Sequence, residues 1–168
     1  MDWKMVERFL TVGQAFVPVN ENGKGDVTVL YVKDGTTEIL DMRCEAFLSK
    51  LLSYFATSIA ANRNRYGKLI GKKQLVPVVL SYGMTLVPYN VREPIGKQTR
   101  VGWVIAREIL SFARKSPQET SIQLNHHDIP VQHSEKFCFE QLKNARCIEM
   151  CYGEIHEPHR KSWLFTAG

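Results

Sequence analysis

The stretch DVTVLYVKDGTTEIL, residues 26–40, limits the possible folds more than any other part of the chain. β-Branched residues flank Asp34 and Gly35, a dipeptide that accepts the positive φ angles of a two-residue turn, so the segment predicts a β-hairpin. A cover for that hairpin follows directly. Cys44, Phe47, Leu48, Leu51, Leu52, Phe55 and Ile59 recur at three- and four-residue spacing. This predicts one amphipathic helix, with Asp41 as its candidate cap and its apolar stripe packed on the sheet.

The rest of the chain continues in the same mixed style. Residues from about Arg8 to Val19 are apolar but broken by Gly13 and Pro18, and predict an irregular or edge strand. The helix pattern fades near Ser58, and NRNRYGKLIGKKQ, residues 62–74, reads as its exit and a flexible loop. QLVPVVLSYGMTLVPY predicts strands that turn at Ser81, Tyr82 and Gly83, with Pro77 and Pro88 at edge or terminal positions because proline cannot donate to a ladder. NVREPIGKQTR is a second basic loop, VGWVIAREILSF a long strand or one that bends, and SIQLNHHDIPV a further hairpin. From the capping residue Ser134, EKFCFEQLKNARCIEMCY predicts a helix that stops at Gly153. No internal repeat, linker or low-complexity tract interrupts the chain. The fold class expected is α+β: a single domain over residues 1–168, an antiparallel sheet of hairpins, an amphipathic helix in the N-terminal half, a C-terminal helix, and a short tail from about residue 154.

At 168 residues the chain is long enough to bury a core without staples. Four cysteines, unevenly spread, do not form a secreted disulfide framework and are expected as reduced thiols. No apolar run suits a bilayer span. The opening MDWKMVERFL carries acids where a signal peptide would carry a basic and then an apolar run, so the expected address is the cytoplasm, with no membrane partner. The net charge of +5 conceals a strong asymmetry. Residues 46–116 hold 12 basic side chains and only two acidic ones, Glu93 and Glu108, whereas the segments on either side are both net acidic. Charge alone admits a polyanion partner or a solvated basic face, and favours the first, because each phosphate contacted releases condensed counterions.

Motifs for other chemistry are weak or missing. Cys147, Cys151, His156 and His159 are the one cluster that resembles metal ligands, but their spacing is too tight for a zinc finger, and the two cysteines suit one buried face of a helix. His126, His127 and His133 read as exposed. The sequence contains no P-loop, GxGxxG, GxSxG or HExxH motif, so no enzyme and no cofactor is expected. Trp103, opening an apolar strand, reads as a core anchor.

One family resemblance emerges from this pattern. The run YFATSIAANRNRYGKLIGKKQLVPVVLSYGMTLVP, Tyr54 to Pro88, followed by Trp103 and SIQLNHHDIPVQHS, resembles the ComK family of bacterial competence transcription factors. Shared with it are an aromatic, small and hydroxyl-rich run leading into basic residues, a spacer, a proline-led strand, an aromatic–proline pair and a tryptophan opening the next long strand. Ala56 and Ala61 stand where the family carries glycine, Asn62 replaces a basic residue, and the loop between Pro88 and Trp103 is longer. The resemblance implies a transcription activator that binds AT-rich double-stranded DNA, chiefly through the minor groove, as a homo-oligomer that bends the duplex.

On that reading Asn62, Arg63, Asn64 and Arg65 are the candidates for entering the groove, where a narrow AT tract attracts guanidinium. Lys68, Lys72, Lys73, Arg92, Lys97 and Arg100 are the candidates for phosphates, which position a protein without reading sequence. The resemblance also implies a C-terminal segment, here Trp163, Leu164 and Phe165, for the adaptor MecA and a Clp protease. Core packing of that tail is the other reading. An RNA-binding or other polyanion-binding module, and a small enzyme with a site assembled from scattered residues, are the alternative functions.

Overall fold

In the computed structural model, which describes residues 2–156, the chain runs α1 (Lys4–Val12), β1 (Gly13–Glu21), β2 (Gly25–Val32), β3 (Thr37–Leu40), α2 (Cys44–Tyr54) and α3 (Ile59–Ile70). It continues through β4 (Val78–Ser81), β5 (Met84–Asn90), β6 (Val101–Ile105), a 3-10 turn (Ala106–Glu108), β7 (Ser111–Ser116), β8 (Glu119–Gln123), β9 (Asp128–Val131) and α4 (Glu135–His156). Six strands form one antiparallel sheet in the order β3-β2-β1-β6-β5-β4, and three form a smaller one, β7-β8-β9. The architecture is a single α+β domain, as the sequence predicts.

The larger sheet is covered on both faces. On one side Phe16 meets Phe9 of α1 and Phe47 of α2 edge to face, with ring centroids 5.2 and 5.0 Å apart, among Leu30, Leu51, Leu86 and Ile105. On the other, Ala15, Val17, Val87, Tyr89 and Val104 pack against Ile122, Ile129 and Cys138 of the small sheet and α4. A strand buried on both faces loses the alternation of apolar and polar residues. This accounts for the unbroken run QAFVPV, and it corrects the expectation for Arg8–Val19. That segment is the last turn of α1 followed by β1, a strand central to the sheet. Pro18 falls past Ala15 and Phe16, the two residues that pair with β6, where β1 has become an edge on that side.

The predicted hairpin is β2–β3, with a longer turn than expected. Gly35 alone takes a positive φ, 95°, while the Asp34 carboxylate accepts from the Thr36 N–H (2.9 Å) and hydroxyl (2.6 Å). Val32 accepts from Gly35 N–H and donates to Thr36, which closes a three-residue loop. β4–β5 and β8–β9 are hairpins as read, and VGWVIAREILSF bends at the 3-10 turn to pass from one sheet to the other. Trp103 is a core residue, 7% exposed.

The single long helix expected from Cys44 to Ile59 is two. α2 begins after Arg43, and Asp41 lies outside it and does not cap it. It ends at Tyr54, where Ala56 turns to φ 56°, and Ile59 opens α3. α4 starts as predicted, the Ser134 hydroxyl accepting from Phe137 N–H at 3.1 Å, but it runs through Gly153 to His156. At Gly153 α4 passes close to Tyr82. A Cβ there would lie 2.8 Å from that ring.

Candidate nucleic-acid interface

The basic stretch 62–74 is mostly helix, a correction to the flexible loop expected for it. Ser58 caps α3, its hydroxyl accepting from Ala61 N–H at 3.1 Å, and Gly71 closes it in the left-handed conformation at φ 70°. Gly67 does not loosen the helix. The chain doubles back so closely after Gly71 that a Cβ on Gly67 would lie 2.6 Å from the Lys72 carbonyl oxygen.

One side of α3 is spent on anchoring. Tyr66 joins Val76, Val79 and Ile148 in a small core. Asn62 is 3% exposed; its side-chain oxygen accepts the Val79 N–H (3.0 Å) on edge strand β4, and its nitrogen donates to the Ser58 carbonyl (3.0 Å). Asn62 is therefore not a groove-entering residue. An asparagine at this position satisfies a strand-edge amide that a basic side chain, having no acceptor, would leave bare.

The opposite side is cationic and open. Arg63, Asn64, Lys68, Lys72 and Lys73 surround a shallow depression floored by Ala60, Gly67 and Gly71. Residues three and four apart share a helix face, which brings Ala60, Arg63, Asn64, Gly67 and Lys68 together. Arg65, two residues from Arg63, points elsewhere, into a recess with Phe55, Ala61 and His156, and its guanidinium lies 5.8 Å from the Tyr66 ring centroid. Arg63 and Arg65 thus do not converge on one groove.

Lys72 differs from its neighbours. Its ammonium donates to Gln141 of α4 and lies 4.8 Å from the Phe137 ring centroid, and burial pushes its pKa down. Gln141, fully buried, also donates to the carbonyls of Leu75 (3.0 Å) and Pro88 (2.9 Å). It fastens the exit of α3 to α4. Sequence reading passed over Gln141, although a glutamine within the apolar series Cys138, Leu142, Ala145 and Ile148 was a visible signal for a buried polar tie.

The second basic loop is structural where it was expected to be free. Arg92 pairs with Asp26 at 2.8 Å, with side chains 14% and 4% exposed, and donates to the Thr99 carbonyl. Arg100 donates to the Arg92 carbonyl (3.1 Å) and to Gln132 (2.7 Å). Neither side chain is open to phosphate without dismantling these contacts. Lys97 is exposed, but on a different element from the α3 cluster. Among the described residues, none of Arg63, Arg65, Lys68, Lys73 and Lys97 forms an ion pair.

The remaining expectations divide. His126 is exposed, but His127 contacts the Val32 carbonyl at 2.8 Å and His133 is buried. His133 accepts the Asn90 N–H through Nε2 (2.9 Å) and stacks on Phe137 at 4.1 Å. Cys147 is exposed and Cys151 half-buried; no group of three or more potential metal ligands forms among the described residues, and His159 lies outside them. Trp163, Leu164 and Phe165 also lie outside the described residues. No helix among the described residues is long and apolar enough to cross a membrane. Compared with family models, curated proteins and solved structures, the chain finds no match.

Proposed function

We propose that this protein is a transcription regulator of the competence type that binds duplex DNA through α3, acting as an oligomer on AT-rich sites. The observation that carries the reading is the exposed face of α3, where Arg63, Asn64, Lys68 and Lys73 stand around one depression on a helix held rigidly by Asn62, Tyr66 and Gly67. Among the described residues none of Arg63, Lys68 and Lys73 is in an ion pair, and no carboxylate occurs in the sequence between Glu45 and Glu93. A helix about 10–12 Å across matches a major groove about 12 Å wide, whereas a minor groove about 6 Å wide takes only a side chain. α3 itself is therefore too wide for the minor groove; Lys68 and Lys73 meet phosphates, and Arg63 alone extends into an adjoining AT-rich minor groove.

Titrations against AT-rich and GC-rich duplexes at several salt concentrations test this. Lys68→Ala and Lys73→Ala should weaken binding to both duplexes equally, each reducing the salt slope by about 0.9. Arg63→Ala should erase the preference for AT, while Arg65→Ala leaves it intact. Equal affinity of the parent protein for the two duplexes would overturn sequence selectivity, and binding insensitive to salt would overturn the phosphate mechanism.

A further inference from the structure

Between α2, the start of α3 and the sheet lies a cleft of about 400 Å³ that shares only Arg63 with the proposed DNA face. Trp103, Leu48, Leu52, Val76, Val101 and Pro88 give it apolar walls. This is within the size range of small-molecule sites, which combine such walls with a few convergent polar groups.

The polar groups are unevenly distributed. Glu45 is at one end, beside Cys44, at the first turn of α2. Ser53 lies about 12 Å further along α2 by the rise of a helix, and Thr57 and Ser58 of the α2–α3 corner and Arg63 of α3 also line the cleft. The hydroxyl oxygens of Thr57 and Ser58 already accept hydrogen bonds, from Asn62 Nδ2 at 3.4 Å and Ala61 N–H at 3.1 Å. Each hydroxyl therefore keeps its proton to donate. Two O–H donors and a guanidinium lining the same cleft suit a planar anion. Leu75, also lining the cleft, is held at φ 50°, a backbone conformation costly for a bulky side chain and of the kind that collects at ligand sites.

We propose that this cleft binds a small carboxylic acid with an aromatic or branched aliphatic body, its body against Trp103 and its carboxylate on Arg63, Thr57 and Ser58. Both readings draw on Arg63, but ligand binding is read on the protein alone, without DNA, so failure of one is distinguishable from failure of the other.

Calorimetric titration of the full chain with 4-phenylbutyrate, 4-phenylbutan-1-ol and 4-phenylbutylamine tests it, with tryptophan emission followed in parallel. The acid should bind saturably and about tenfold more tightly than the alcohol or the amine. The emission change should vanish in Trp103→Phe. Arg63→Gln should remove the preference for the acid while leaving weak binding of the apolar body. Ser49→Phe at the exposed rim, or Ser53→Phe if the first does not fold, should block all three compounds, with circular dichroism confirming the fold. Equal affinity for the amine or the alcohol would overturn the assignment of the anionic end. Absence of saturable binding, or binding unchanged by a folded rim-blocking variant, would overturn the site itself.

Discussion

Ala56 holds the conformation that usually belongs to glycine. It follows Phe55, the C-cap of α2, at φ 56°, with its own N–H bonded to the Ser53 carbonyl and the next N–H, from Thr57, bonded to the Leu52 carbonyl, the pattern of a Schellman termination. The left-handed region costs an L-residue roughly 1–2 kcal/mol, partly offset by the lower unfolded-state entropy of alanine. Ala56→Gly should therefore stabilise the protein by about 0.5–1 kcal/mol in urea denaturation. A loss of stability would show that the α2–α3 corner is not strained. His133 gives a second measurable consequence. Burial holds its pKa down to about 4, with Arg100 and Lys72 adding to the effect, while the unfolded imidazole titrates near its ordinary 6.5. Below pH 6.5 only the unfolded chain gains the proton, so the contribution of His133 is complete above that pH and is lost as pH falls toward 4, by at most about 1.4 kcal/mol per pH unit. Subtracting the pH–stability profile of His133→Gln from that of the parent should isolate this slope. Coincident profiles would mean that the Asn90 N–H bond to the ring does not hold it neutral.

At the scale of elements, two helical glycines make opposite predictions. Alanine is the better helix former by about 1 kcal/mol. In α3, Gly67→Ala should nevertheless destabilise by about 2 kcal/mol, because its methyl would meet the backbone of Lys72, which cannot step aside. In α4, Gly153→Ala meets only the side chain of Tyr82, itself 55% exposed and able to swing away, and should be neutral or slightly stabilising. Thermal unfolding of the two variants side by side decides the matter. The same glycines explain what was readable in advance. Strands marked by β-branched runs and turn residues were legible, as were the α2 stripe and the Ser134 cap, because their signals are local. α3 was not: Gly67, Gly71 and a run of charges look like a loop until the returning chain shows why a side chain is excluded. The basic cluster was legible as composition, and its membership was not. Arg92, Arg100 and Asn62 are indistinguishable in sequence from free polar residues, and their partners Asp26, Gln132 and Val79 lie 17 to 66 residues away.

On the scale of the whole molecule, the Asp26–Arg92 pair links β2 to the long connection between β5 and β6. Asp26 Oδ2 and Arg92 Nη1 are buried without a partner among the described residues, so this bridge is incompletely satisfied. Removing one charge strands the other, and Asp26→Asn or Arg92→Met should each cost about 3 kcal/mol, while the double variant costs less than either alone. Additive losses would indicate two independent contacts. The central seam of the large sheet has a different consequence. β1 pairs with β6 at Ala15–Val104 and Phe16–Trp103, so the first strand made must wait for some ninety residues before its second neighbour exists. Until β6 exists, the side of β1 that it covers has no strand to pair with, whereas the Phe9–Phe16–Phe47 cluster needs only residues already present. Closure of the large sheet is therefore expected to be slow, as long-range pairings are, and a chain cut short before β6 should expose that edge and aggregate.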